Sequence, residues 1–258
     1  MRSLAAAAAV SMFLAGQPAA PEIPAVAHDA LAAGGSGGPL PALTQRMAKA
    51  YCQASLGVMP DASAKQLAES MERFEAGLAR LRQRCGVTRR DRELAALEAA
   101  WLSFRAEMSE PPTRAGCALV AVQRDAITRM SAALIRDSGP RDGDAWLARA
   151  ASRQAELAQR LATLYLARAA GVQSDSLRDD LDRGSAEFAA TLTALQMATE
   201  NTPQVARQLD AVALQWEWLR SALNEERVPA AYPLVVAEAS DAILAGMESV
   251  AREYRALP

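Results

Sequence analysis

Apolar residues recur along most of this chain at three- and four-residue spacing, and no stretch alternates at spacing two. Leu43, Met47, Tyr51, Ala54 and Val58 form one stripe, and Leu67, Met71, Phe74, Leu78 and Leu81 a second. Leu94, Leu97, Trp101 and Phe104 form a third, and Leu119, Val122, Ile127, Met130 and Leu134 a fourth. Each stripe fits one face of a 3.6-residue helix. The residues between the stripes are start and stop signals. The first helix begins near Pro41 or Ala42 and ends at Gly57 and Pro60, and Asp61 or Ser63 can cap the second, which runs to about Arg84. Cys85-Gly86 closes that helix; the third covers 89–108, Pro111-Pro112 breaks the chain, and Thr113 can cap a fourth helix ending near Arg136. Four more helices follow at 145–170, 176–198, 203–224 and 231–256, with Asp144 as a natural cap and Pro229 and Pro233 at the last corner. Asn201-Thr202-Pro203 reads as stop, cap and first-turn proline in succession.

The second half repeats the first. Gln159, Arg160, Tyr165, Gly171 and Val172 each lie 114 positions after Gln45, Arg46, Tyr51, Gly57 and Val58. Phe188, Leu192 and Leu195 keep that offset from Phe74, Leu78 and Leu81, and Asp241-Ala242-Ile243 follows Asp125-Ala126-Ile127 at 116. Such self-similarity marks a duplicated unit. Four helices of about 20 residues joined by short turns make an up-and-down bundle roughly 30 Å long. The expected fold is therefore all-α: tandem antiparallel four-helix bundles, eight helices in all, at 41–137 and 144–256, joined by a Gly-Pro-Gly-containing linker at 137–143. A single eight-helix body with the units side by side is the competing arrangement.

Composition agrees with helix: half the residues are hydrophobic, aromatics are only 5%, and Ala, Leu, Arg, Glu and Gln dominate. A net charge of −2 with both signs interspersed gives no footprint for nucleic acid. Arg2 followed by a 13-residue apolar run from Leu4 to Gly16 reads as a signal peptide, with Ala25-Val26-Ala27 as the best cleavage site and Pro18-Ala19-Ala20 the next. Residues 1–27 are then removed, 28–40 form a Gly-rich tether, and the mature chain is a soluble periplasmic protein. Thirteen residues fall short of the roughly 20 needed to span a bilayer. Gln17 stands where a lipoprotein would carry Cys, and no later segment is long and apolar enough to cross, so no membrane span is expected in the mature chain.

Cys52, Cys85 and Cys117 all lie in the first unit. Export permits disulfides, although three small buried residues with no bond is an equally simple reading. In an up-and-down bundle the end of the first helix and the start of the fourth are neighbours at one level. If a bond forms, that order selects Cys52–Cys117 and leaves Cys85 free.

The run Arg153-Gln154-x-x-Leu157-x-Gln159-Arg160-Leu161-Ala162-x-x-Tyr165 resembles the N-terminal sensor domain of type IV pilus chemotaxis transducers, the PilJ-type domain. The first unit keeps the second half of that signature, from Thr44 to Tyr51, and the segment 214–223 after Glu200-Asn201-Thr202-Pro203 is also similar. The resemblance covers about 40–255 in two copies. It implies an extracytoplasmic sensing module whose partner is a membrane-bound transducer or another envelope protein, with a homodimer as a further possibility. In related nitrate sensors an Arg of the run holds the anion, but the matching positions here are Ala155 and Pro41, so tight nitrate binding is not expected. The relay helices and output domain of a transducer have no counterpart in this sequence.

Arg153, Gln154, Gln159 and Arg160 of the second copy, and Gln45 and Arg46 of the first, border apolar stripes rather than lying opposite them. Guanidinium and amide groups on a helix seam can hold a carboxylate or phosphate-like group; equally, they can be buried polar groups satisfied within the bundle. Tyr51 and Tyr165 are candidate ligand clamps that are more simply core residues with a bonded hydroxyl. Trp101, Trp216 and Trp218 read as core, and the acid pairs Asp179-Asp180 and Glu225-Glu226 as solvated. Enzyme chemistry has little to work with. The one histidine, His28, lies in the tether, and no triad, haem motif, Glu-x-x-His pair or Gly-rich phosphate loop is present. No cofactor or metal is implied. The leading expectation is a non-catalytic sensor-like module that binds a small polar or anionic ligand. A helical scaffold without a small ligand is the alternative, and a helical enzyme using Arg and Glu alone ranks last.

Overall fold

In the computed structural model, residues 40–84, 89–136, 146–225 and 232–257 are described. They form eight α-helices, with no strand among the described residues: α1 (Leu40–Ser55), α2 (Pro60–Arg84), α3 (Arg89–Ser109), α4 (Arg114–Arg136), α5 (Trp146–Ala169), α6 (Asp175–Gln196), α7 (Pro203–Asn224) and α8 (Tyr232–Arg255). The all-helical expectation holds. The signal peptide, the tether up to residue 39, the Cys85-Gly86 turn, the 137–143 linker, Asp144 and Pro229 fall outside the described residues. None of the described helices is long and apolar enough to cross a membrane.

Thr202 caps α7 by accepting from Val205 N at 3.2 Å, with Pro203 in the first turn, and Thr113 accepts from Gly116 N at 2.9 Å to open α4. Ser174 caps α6 in the same way, so that the helix starts at Asp175, one residue ahead of the expected start. Neither Asp61 nor Ser63 caps α2. Asp61 lies inside its first turn, and the Ser63 hydroxyl donates back to Met59 O and Pro60 O.

In each half the first helix packs on the second and fourth and the third on the fourth, which closes a ring of four: α1–α4 and α5–α8. The rings are not separate bodies. α1 packs on α5 as well as on α2 and α4, and all the described helices belong to one compact unit. Phe74 meets Trp101 at 4.4 Å between ring centroids, and Phe188 meets Trp216 at 4.2 Å in the matching place of the second ring. Such pairs add about 0.5–1.5 kcal/mol beyond the area they bury. The Cys52–Cys117 disulfide ties α1 to α4, its Cα atoms 4.8 Å apart; Cys85 is outside the described residues.

Two expected core assignments are corrected. Trp218 is 45% exposed, two residues on from the buried Trp216 and so about 200° around the helix from it. In α4, Leu119, Val122 and Met130 are exposed, Val122 by 74%, and the buried face is Cys117, Val120, Arg124, Ile127, Ser131 and Leu134. Polar Arg124 and Ser131 occupy seam positions there, and of the expected stripe Ile127 and Leu134 keep to the buried face while the other three lie off it.

Candidate functional site

With neighbours on so many sides, α1 is buried along its whole length from Leu40 to Gln53, polar residues included. Buried polar groups must find partners within the protein or carry a desolvation cost. Lys49, fully buried, pairs with Asp241 of α8 at 2.5 Å. Asp241 also accepts from Gln66 of α2 at 3.3 Å and from Gln159 of α5 at 3.3 Å, and Gln159 donates to Ser240 O at 2.8 Å. One carboxylate thus joins four helices drawn from both halves. Burial pushes the Lys49 ammonium below the usual lysine range, and Asp241 opposes that shift.

A second charged chain runs between α4 and α5. Arg124, fully buried, reaches Asp125 at 3.2 Å and the Arg160 carbonyl at 3.4 Å. Arg160 is shared between Asp125 at 3.8 Å and Asp180 of α6 at 3.5 Å, and Asp180 also holds Arg183 at 2.6 Å. Asp180 is therefore a bonded part of this chain; Asp179 beside it is exposed as expected, as is Glu225, while Glu226 falls outside the described residues.

Beside Arg160 the two halves leave a cleft of about 240 Å³. Arg153, Glu156, Leu157 and Arg160 enter it from α5, at the i, i+3, i+4, i+7 spacing that puts four side chains on one helix face. Asp125, Thr128 and Arg129 enter from α4, and Gln45 from α1. Gln45 donates to the Thr128 hydroxyl at 3.0 Å, while its carbonyl oxygen is buried with no donor. The Arg160 Nε is likewise buried with no acceptor. Arg153, 58% exposed, pairs with Glu187 at 3.3 Å. Glu156 has its carboxyl pushed up to about 7 by burial, against the pull of Arg153. Cleft donors and acceptors thus remain unmatched in both senses.

Of the residues singled out in the sequence, the structure brings Gln45, Arg153 and Arg160 together in this cleft. The others go elsewhere. Gln154 is buried and donates to Phe188 O at 2.7 Å, Gln159 belongs to the Asp241 junction, and Arg46 is nearly buried in α1 beside Lys49. Tyr165 is buried beneath Arg168, whose guanidinium lies 5.0 Å from the ring centroid, and burial holds its hydroxyl up at about 12. Tyr51 packs so closely on Gly116 that a Cβ there would collide with its hydroxyl. Neither tyrosine lines the cleft.

Asp125, Thr128, Arg129 and Glu156 were missed as cleft residues, as were Lys49 and Arg124 as buried charges and Asp241 as the partner of Lys49. One signal was available: Asp125 and Asp241 open the repeated Asp-Ala-Ile blocks, each an acid in mid-helix directly before an apolar pair. Compared with protein-family models, with curated proteins and with solved structures, the chain matches none.

Proposed function

We propose that this chain is an exported, non-catalytic sensor-like module that binds a small polar or anionic ligand in the cleft between α1, α4 and α5. One observation carries the reading: Arg153, Arg160 and Gln45 open on the same cleft, where Arg160 Nε and the Gln45 carbonyl oxygen lack partners. A preformed concave site with a few convergent polar groups is the usual form of a small-molecule site. Because the cleft is lined from both halves, a ligand there bridges them, and its presence can be read by a partner that grips the two halves together. The likeness of the Arg153–Tyr165 run to pilus-transducer sensor domains supports a periplasmic location and an envelope partner, and Arg2 with the apolar run behind it supports export.

The scaffold reading keeps one observation of its own. Gln154 and Gln159 are engaged inside the protein, while Leu119 and Val122 present apolar surface on α4.

A thermal-shift screen of the mature protein against inorganic phosphate, small carboxylates and amino acids separates the two. A ligand at about 100 times its Kd adds roughly 2.7 kcal/mol. Arg153→Ala removes an exposed side chain and should abolish the shift while the unliganded melting temperature holds. No shift with any compound would leave the scaffold reading in possession.

A further inference from the structure

We propose that the ligand of this cleft is a zwitterion of the α-amino acid class, its carboxylate on Arg160 and its ammonium turned to Glu156, Asp125 and the Gln45 carbonyl oxygen. This rests on the cleft being a ligand site and goes further by fixing what the ligand must carry.

The two orphaned groups make opposite demands. Arg160 Nε needs an acceptor and Gln45 Oε1 needs a donor, and both atoms are buried on residues that line the same cleft. Leaving a buried polar atom unsatisfied costs about 1–3 kcal/mol, and one ligand that offers both an oxyanion and an N–H relieves both costs together. A bare anion relieves one.

The charges lining the cleft point the same way. Arg129, Arg153 and Arg160 contribute three positive groups, and Asp125 and Glu156 two carboxyl groups. Arg160 reaches Asp125 and Asp180 only at 3.8 and 3.5 Å, which leaves its guanidinium room for a closer, charge-assisted partner. A ligand carrying negative charge alone would sit against Asp125 and Glu156. One with an ammonium beside its carboxylate meets charge of the right sign at both ends. A volume of about 240 Å³ lies below the range of about 300–1,000 Å³ typical of drug-sized sites, which favours a molecule of amino-acid size. Leu157 is the apolar residue of the lining and can take a short side chain.

The test is calorimetric titration of the full chain at neutral pH with L-amino acids, each beside its des-amino carboxylate and its decarboxylated amine, and with inorganic phosphate. The expected result is an amino acid that binds at least tenfold more tightly than both of its truncated analogues. Glu156→Gln should shrink the margin over the des-amino acid to under threefold, and Arg160→Lys should weaken amino acid and des-amino acid alike. If carboxylates or phosphate bind as well as amino acids, or if Glu156→Gln leaves the margin unchanged, the zwitterion assignment fails and an anion site remains. If nothing in the panel binds, the ligand-site reading falls with it.

Discussion

Replacing Asp241 with Asn keeps the size of the side chain and removes one charge from the junction of four helices. The cost is set by what stays behind. Lys49 is fully buried, and Asp241 is the carboxylate paired with it, at 2.5 Å. Breaking a buried pair so that one ion is left uncompensated costs about 3–5 kcal/mol, and the lower end applies because Asp241 is itself 25% exposed. A loss of about 3 kcal/mol in a body of this size lowers Tm by roughly 6–12 °C. Lys49→Met, the opposite half of the pair, should change stability by less than about 1 kcal/mol, since an apolar side chain suits the site and Asp241 keeps Gln66, Gln159 and some access to water. The two variants should therefore differ by at least twofold in urea denaturation followed by far-UV circular dichroism. Without Asp241 to oppose burial, the Lys49 pKa falls further in the folded state while the unfolded value stays, so the unfolded chain binds more protons at high pH. Stability of Asp241→Asn then rises with pH and the deficit narrows. Equal losses in the two variants, or a deficit that widens with pH, would refute the view that a stranded ammonium is the cause.

Two further outcomes are expected. The Cys52–Cys117 bond spans 65 residues, and a loop of that length constrains the unfolded chain by about 4 kcal/mol; Cys52→Ala with Cys117→Ala should lower the urea midpoint accordingly, and a loss under about 1 kcal/mol contradicts that account. Glu156 has its carboxyl raised from 4.5 to about 7 in the fold, so its contribution is complete below pH 4.5 and is lost as pH rises through 7, a change of up to about 3 kcal/mol. Glu156→Gln should match the wild type in acid and exceed its stability above neutrality, and a constant difference across that range would show that burial of Glu156 is not the cause.

The helices were legible because periodicity and punctuation are local. Asn201-Thr202-Pro203 and Thr113 mark helix starts that the structure places within a residue. What failed depends on contacts between the halves. Leu119 and Val122 are apolar yet exposed, while Arg124 and Ser131 share the buried face of α4 with Val120 and Ile127, because α4 borders α5 along a charged seam. Hydropathy cannot anticipate a guanidinium whose partners lie on the next residue and across a helix pair. The same holds for the cleft. Arg153, Arg160 and Gln45 stood out because the repeated motif carries them, whereas Asp125 and Arg129 become cleft residues only through the register of α4 against α5. Glu156 lies inside the motif, but its protonation follows from burial, which depends on packing across the halves.

The two copies of the motif show why one seam is closed and the other open. Gln45 and Gln159 occupy matching positions, as do Arg46 and Arg160; Gln159 donates to Asp241 and Arg160 reaches Asp125. One difference is at the position one helical turn on from each Gln. The first copy has Lys49, whose ammonium crosses to Asp241 and, with Gln66 and Gln159, fills the space around that carboxylate. The second copy has Thr163, whose hydroxyl turns back to Gln159 O at 2.8 Å and sends nothing across to Asp125. Asp125 is left to Arg124 and a more distant Arg160, and it lines the cleft. The residue before each aspartate differs as well, Arg124 against Ser240, so Asp241 is paired by a lysine from the other half and Asp125 by the arginine next to it in its own helix. The Lys49–Asp241 pair thus ties the two halves to each other, while Asp125 and Arg160 leave the polar lining of the cleft on the other seam.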